Sequence, residues 1–240
     1  MKALLAMKTS KLVVKMQKRS KVIIDLINSN INVEQALEIL DLLLENIKDK
    51  KIKNWLSNEI NGYDKDDDIP DYRIVSINLK GSYIIGSAFN GIQGTNQPLP
   101  LKPEYIKDYS NIKIKDGVFK LEQMAIAEKE NESHHLSLAM NVLLAQEISC
   151  INGEIINAYT DLSLYAYTNI IGAIRSKLLS IFKELEKQYG NLDEYYIDFK
   201  DKIKEEKVTK SLITIIYDKS THIGDNNSIK ESIIGDNNEN

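Results

Sequence analysis

Two adjacent histidines are the side chains of this sequence best suited to proton transfer. His134 and His135 follow Glu132, and a ribonuclease can use one imidazole as base and a second as acid. Neighbouring residues of a helix point about 100° apart, so the two rings would not face one phosphate together. This geometry disfavours catalysis or metal binding by the pair and favours a surface or capping role.

Three aspartates, Asp64, Asp66 and Asp68, have the spacing of the first ligands in a calcium loop. Such a loop also needs a glycine and a bidentate glutamate at the positions that Ile69 and Val75 occupy here. We therefore predict no metal, and no cofactor, since a Walker lysine loop, a dinucleotide-binding glycine pattern, an HExxH motif and a nucleophile elbow are absent from the sequence. These absences favour a protein that is not an enzyme.

Composition narrows the class of protein. The 240 residues are 42% hydrophobic and 28% charged, as in a soluble globular protein, and a net charge of −4 is unlike a dedicated nucleic-acid-binding domain. No run approaches the ~20 apolar residues of a membrane span, and the single Cys150 excludes an intrachain disulfide. We expect a cytoplasmic protein.

Basic residues are concentrated at the start of the chain, where seven of them precede the first acid, Asp25. A contact with nucleic acid or a membrane surface would therefore fall in this segment, and the alternative is a solvated helix face.

Three stretches near the start of the chain have helical periodicity. Apolar residues recur at helical spacing from Leu12 to Ile27, in the run that begins after Asn32, and from Ile52 to Ile60. Asn32 and Gln35 have the spacing of a capping box. We predict three helices, the third ended by Gly62 in an αL conformation.

Alternating residues then indicate strands. We predict one hairpin that turns at Lys80–Gly81, a loop over residues 90–103, and a second hairpin that turns at Asp116–Gly117. Residues 121–149 are predicted to be helical in two pieces broken near Asn131, and residues 153–162 to form another strand.

The longest predicted helix runs from an N-cap at Ser163 to Tyr189, before Gly190. Its apolar positions repeat in heptads, which fits either packing against the N-terminal helices or a seam between two copies of the chain. These positions are Leu164, Tyr167, Ile171, Ile174, Leu178, Ile181 and Leu185. A further helix over residues 192–203 and a strand over residues 211–218 are predicted to follow.

The C-terminus contains a repeat, because "IGDNN" occurs at residues 223–227 and again at 234–238. A single copy cannot cover its own isoleucines, but copies from several chains could stack them and align their asparagines in ladders. The alternative is a disordered polar tail. The residues that would mediate this self-association are Ile223, Asn226, Asn227, Ile229, Ile233, Ile234, Asn237 and Asn238.

These elements predict an α+β fold in which the N-terminal helices and the long late helix pack on a small, mainly antiparallel sheet. We divide the chain into a basic N-terminal extension at 1–10, an α+β domain at 11–208, and a strand with the repeat tail at 209–240.

The segment "WLSNEINGY" and the following "DIPDYR" form a joint between helix and sheet. Gly62 stops the helix, and Pro70 keeps the residue before it extended so that the chain enters the first strand. Arg73 is expected to pair with Glu59 or with Asp71.

These motifs resemble the AbiTii family of bacterial abortive-infection proteins. The resemblance spans about Leu12 to Gln188 and includes "NIIGAIRSKLLSIFKELEK", which is similar to the late helix of that family and contains Arg175. This chain has Ile60 where the family usually has leucine before its glycine and tyrosine. The signature residues are Trp55, Glu59, Gly62, Tyr63, Pro70, Tyr72, Arg73 and, in the late helix, Arg175.

The resemblance implies phage resistance, in which an infected cell stops growing before the phage completes its cycle, and it supplies no catalytic residues. Two hypotheses follow. One is a non-enzymatic protein that senses a phage component and responds by changing its assembly state, through the C-terminal repeat or the long late helix. The alternative is a toxin enzyme that cleaves or modifies nucleic acid.

Overall fold

The structure is a computed structural model that describes residues 18–86, 90–130, 137–162 and 165–217, without the side chains of residues 128 and 129. The basic extension at 1–10, the two histidines His134 and His135, and the repeat at 223–238 lie outside these residues.

Within the described residues, eight α-helices and a five-stranded antiparallel sheet form an α+β fold, which confirms the predicted class. The elements are α1 (Lys21–Ile27), α2 (Val33–Leu43), α3 (Lys50–Asn61), β1 (Ile74–Ile85), β2 (Ile92–Pro98), α4 (Ile106–Tyr109), β3 (Asn111–Lys113), α5 (Val118–Glu130), β4 (Ser137–Ala139), α6 (Val142–Ile148), β5 (Glu154–Leu162), α7 (Ala166–Tyr189) and α8 (Lys202–Tyr217).

The second and third helices lie where the sequence predicts them. Asn32 and Gln35 form the predicted reciprocal capping box of α2, and Asp49 caps α3 by accepting from the backbone of Ile52. The first helix starts at Lys21, later than predicted, because residues 18–20 are not helical. Gly62 ends α3 with φ 101° and ψ 166°, which is a positive φ but not the predicted αL conformation.

The sheet has the strand order β2-β1-β5-β4, with β3 also paired to β1. The predicted turn at Lys80–Gly81 is wrong, because β1 continues through both residues as one strand. A Cβ on Gly81 would lie 2.2 Å from the carbonyl oxygen of Asn157, so glycine permits the close approach of β5. This glycine therefore serves strand packing and not a turn.

The predicted loop at residues 90–103 is also wrong in part, because residues 92–98 form β2 along the edge of β1. Gly94 lies under the ring of Tyr83, where a Cβ would come within 2.6 Å of the ring. The glycines that suggested a loop thus make room for an aromatic side chain across the strands.

The second predicted hairpin is wrong for a similar reason. Residues 111–113 pair with β1, but the chain then passes Asp116–Gly117 and enters α5 without a returning strand. A Cβ on Gly117 would lie 2.4 Å from the carbonyl oxygen of Ile60, so the glycine lets the start of α5 approach the end of α3.

The next region contains the two predicted helices, α5 and α6, on either side of the predicted break. The short strand β4 between them was not predicted. It pairs with β5, which confirms the strand predicted at residues 153–162.

The last two helices differ from the prediction in extent and type. The long helix α7 begins at Ala166, and its heptad residues Tyr167, Ile174, Leu178, Ile181 and Leu185 are buried in the core of the same chain. This arrangement supports core packing over a seam between copies.

Residues 192–201 contain no helix, and α8 replaces the strand predicted from residue 211. Val208, Leu212 and Ile216 are spaced by four residues and are all buried, so packing of a helical face overrides the strand preference of this isoleucine-rich run.

Two hydrophobic cores result. The larger joins the helices, and a smaller one lies between the sheet and α6. The signature segment lies at the junction of α3, β1 and the chain that enters α5.

Candidate functional site

A buried ion pair forms the centre of the signature segment. Arg73 Nη2 lies 2.6 Å from Glu59 Oε2, and Arg73 Nε donates to Glu59 Oε1 at 3.1 Å. Both side chains are fully excluded from solvent. The sequence predicts either Glu59 or Asp71 as the ion-pair partner of Arg73, and the structure shows that the partner is Glu59. A bidentate pair of this kind fixes both orientation and distance.

Aromatic side chains complete the network. The hydroxyls of Tyr63 and Tyr72 each donate to Glu59 Oε1 at 2.6 Å, and Trp55 Nε1 donates to the Tyr72 hydroxyl at 2.9 Å. The guanidinium of Arg73 also lies over the ring of Tyr63, 4.7 Å from its centroid. The carboxylate therefore has three donors on one oxygen and one on the other.

Arg73 extends this network to the backbone of a third segment. Its Nη1 donates to the carbonyl oxygens of Ile114 at 3.2 Å and Asp116 at 2.7 Å. These carbonyls belong to the link between β3 and α5, so one side chain joins α3, the start of β1 and that link.

The backbone changes direction beside this network. Tyr63 N donates to the carbonyl of Lys115 at 2.8 Å, and a Cβ on Gly62 would lie 2.9 Å from that carbonyl oxygen. Pro70 is buried, and its carbonyl accepts from Arg73 N at 2.9 Å in a short 3₁₀ turn that leads into β1. Gly62 and Pro70 thus direct the chain from helix to sheet.

The charges of the network are held in one protonation state. Burial, followed by the charge of Glu59 and its hydrogen bond, raises the pKa of both tyrosines well above the ordinary value. Burial alone would lower the pKa of Arg73, but its hydrogen bond and charge interaction with Glu59 raise it overall. Near neutral pH the tyrosines therefore remain protonated and Arg73 remains charged, a state that suits structural bonding.

A family model places this network in a known group of proteins. The model named AbiTii matches residues 20–211, most of the chain and all of the signature. The chain belongs to the AbiTii family. The match confirms the resemblance and indicates an antiviral role in bacteria through abortive infection. No curated protein and no solved structure matches this chain.

An open pocket of about 550 Å³ lies beside the network of this AbiTii chain. Tyr63 is a network side chain that lines it, whereas Glu59, Tyr72 and Arg73 are not among the lining residues. The lining residues are Ile60, Asn61, Gly62, Tyr63, Asp64, Lys115, Asp116, Gly117, Phe119 and Lys120. The paired charges of the network therefore do not face this pocket.

The aspartates of the AbiTii joint do not converge. Asp64, Asp66 and Asp68 are exposed, and the backbone of Asp64 donates to the carboxylate of Asp67 at 2.7 Å. In the described part of the chain, no three or more His, Cys, Asp or Glu side chains are grouped closely enough to hold a metal ion. Within the same residues, no helix has the length and apolar character needed to cross a membrane.

The remaining signature residue, Arg175, acts at a different place in the AbiTii fold. From α7 its Nη2 donates to the carbonyls of Leu26 and Ile27, at 2.6 and 3.1 Å, and to the Ser29 hydroxyl at 3.0 Å. These groups lie at the C-terminal end of α1, where carbonyls lack helical partners. Arg175 thus attaches α1 to α7.

Glu186 attaches the other end of α1. Its carboxylate accepts from the backbone and the hydroxyl of Ser20, at 2.6 and 2.7 Å, and from Arg19 at 2.5 Å. Burial raises the pKa of Glu186, but these bonds lower it more, so the net shift is downward. The long helix therefore holds α1 at both ends.

Sequence reasoning missed one residue that contacts the network. Lys177 Nζ lies 5.3 Å from the centroid of the Tyr72 ring and donates to the carbonyl of Ile215 at 2.8 Å. Its position two residues after Arg175 carries no motif, and its partner lies in a segment that the sequence predicts as a strand.

Proposed function

We propose that this AbiTii chain protects its host by sensing infection and changing its assembly state, and that it does not act by catalysis. The observation that supports this proposal most strongly is the burial of the signature. Glu59 and Arg73 are 0% exposed and bonded to each other, to tyrosines and to backbone carbonyls.

A reactive centre needs a group that a substrate can reach and whose protonation can change during the reaction. The signature supplies neither, because its charges are enclosed and the pKa of each tyrosine is shifted away from neutrality. These residues instead join α3 to the start of β1 and to the link before α5. A body braced in this way suits a protein that recognises a partner and transmits the event.

The assembly part of the proposal rests on the repeat at residues 223–238, which lies outside the described residues. Each copy presents isoleucine beside glycine, aspartate and asparagine, and stacking between chains would cover the isoleucines. Five of the seven heptad residues are buried in the core of the same chain, so we propose the repeat as the segment that mediates self-association.

The input to this switch would be a phage component bound by the folded body in the cytoplasm. The open pocket beside Tyr63 is where a ligand would come closest to the joint, since Gly62, Asp116 and Gly117 form both its wall and the joint's backbone contacts.

Truncation tests the proposal. A chain that lacks Thr221–Asn240 should remain folded and monomeric and should lose phage protection in plating assays. A full-length control with Ile223→Asp and Ile234→Asp should behave in the same way, because charge in the repeat prevents stacking without shortening the chain. Full protection by a monomeric truncated chain would refute the assembly mechanism.

The toxin alternative is tested in the same host. A His134→Ala, His135→Ala chain should protect as well as the parent. Loss of protection by this folded double variant, together with salt-sensitive binding of RNA or DNA, would replace our proposal with the enzymatic one.

A further inference from the structure

The last turn of α8 is held by a side chain from a different helix. Among the described residues α8 extends to Tyr217, and near that point the carbonyl of Ile215 accepts from Lys177 Nζ of α7 at 2.8 Å.

The same lysine contacts the signature network. Its Nζ lies 5.3 Å from the ring centroid of Tyr72, whose hydroxyl donates to Glu59 and accepts from Trp55. A continuous path of contacts therefore runs from the buried ion pair, through Tyr72 and Lys177, to the end of α8. Residues 218–240, which contain the repeat, follow directly after this turn.

The environment of the turn is otherwise acidic. Burial, followed by the charges of Asp68, Asp49 and Glu59, raises the pKa of Tyr217. Tyr217 thus lies near carboxylates of the joint and of the α3 N-terminus, and Lys177 brings a positive charge to the same turn.

The contact also lies at the boundary of the family match. The AbiTii model ends at residue 211, whereas α8 continues through six more residues that include Ile215. The lysine is inside the matched region and its partner is outside it.

We propose that Lys177 is a positioning residue that latches the last turn of α8 to the signature network and so restrains assembly until infection is sensed. The restraint of assembly rests on the proposed function of the repeat, whereas the latch itself does not. A signal that moves Tyr72 would weaken the hold of Lys177 on Ile215 and release the turn that precedes the repeat.

Hydrogen exchange of the full-length chain tests the latch. In Lys177→Met, peptides that cover the last described turn of α8 should exchange about 5 to 10 times faster, because the charged hydrogen bond to the Ile215 carbonyl is lost. Lys177→Arg keeps the charge and a donor and should stay within about twofold of the parent. Lys183→Met, at an exposed position of the same helix, should have no effect.

Assembly and growth measurements test the coupling. Without phage, Lys177→Met should form oligomers at a concentration about tenfold lower than the parent, because the loss of one charged hydrogen bond shifts an equilibrium by about that factor. The variant should also slow the growth of its host. Removing Thr221–Asn240 from this variant should restore normal growth. Lys177→Gln, which keeps a donor but no charge, should behave like Lys177→Met, and it serves as the test if the methionine variant does not fold.

Different results would overturn the latch, its coupling to assembly, and the restraint of assembly. Unchanged exchange in both neutral variants would overturn the latch. Faster exchange with unchanged assembly would overturn the coupling. Growth arrest that persists after removal of Thr221–Asn240 would overturn the restraint of assembly, and failure of the parent truncation to lose protection would refute the proposed function while leaving the latch intact.

Discussion

Glu59 and Arg73 face each other across the joint between α3 and β1, with Oε2 and Nη2 2.6 Å apart and neither side chain exposed. The two residues are fourteen positions apart in the sequence. The acidic stretch between them is exposed to solvent, whereas Glu59 and Arg73 at its two ends are in contact. The part of the family signature from Trp55 to Arg73 is therefore one contiguous structural unit, whose charges are directed at each other and at backbone carbonyls.

Removing one half of the pair should be costly. We expect Glu59→Gln to lower the free energy of unfolding by about 3 to 5 kcal/mol, because Arg73 would remain buried without a counter-charge. Urea denaturation measures this change. The matched control is Lys120→Met, since the exposed pair of Lys120 with Asp116 should contribute less than ~1 kcal/mol. Equal losses in the two variants would contradict the structural role of the buried pair.

Two glycines should respond in opposite directions to a methyl group. Gly62→Ala should destabilise the chain by roughly 1 to 3 kcal/mol, because its φ is 101° and a Cβ would contact the carbonyl of Lys115 at 2.9 Å. Gly172→Ala, inside α7 with no atom within 4 Å of the new Cβ, should stabilise it by about 0.5 to 1 kcal/mol. Thermal unfolding distinguishes them, and a neutral Gly62→Ala would show that the joint tolerates another backbone path.

Alkaline pH should test the buried tyrosines. Burial and the charge of Glu59 raise the pKa of Tyr63 above that of the unfolded chain, so the unfolded state alone releases this proton above pH ~10. The stabilisation is complete below that pH and is lost as pH rises, by about 1.4 kcal/mol per pH unit. Tyr63→Phe should therefore show a shallower fall in stability between about pH 10 and 11.5. Parallel curves for the variant and the parent would refute this assignment.

The attachment of α1 gives a further prediction. Arg175→Met removes three donated bonds at the C-terminal end of α1 and should increase hydrogen exchange in residues 21–27 by roughly tenfold, the equivalent of about 1.4 kcal/mol. Exchange in α8 should not change. If α1 stays protected in this variant, then Glu186 and core packing suffice to hold it.

Local signals predicted the caps of this fold well. The capping box of Asn32 and Gln35 and the stop at Gly62 depend on neighbours within a few residues, so the sequence contains the necessary information. The candidate site could be recognised for the same reason, since Trp55 and Glu59 lie one turn apart in α3 and Tyr63 follows just after that helix ends. The sequence could not decide between Glu59 and Asp71 as the partner of Arg73, because the pairing with Glu59 depends on the packing of α3 against the start of β1.

The errors come from glycines and isoleucines whose roles depend on distant neighbours. Gly81, Gly94 and Gly117 looked like turn residues, but each makes room for a carbonyl or a ring from another element. The isoleucine-rich end of the chain looked like a strand, but Leu212 and Ile216 pack as one face of α8. Lys177 could not be found from sequence, because its partner Ile215 lies in that misassigned segment.

The most direct test of the central claim is phage protection by Glu59→Gln at a temperature where the purified variant is fully folded. We predict protection within about threefold of the parent, and a sharp loss only at temperatures where the variant unfolds, since the pair stabilises the fold and performs no reaction. A folded, soluble Glu59→Gln chain that gives no protection at any temperature would contradict the account and would assign the signature a direct functional role.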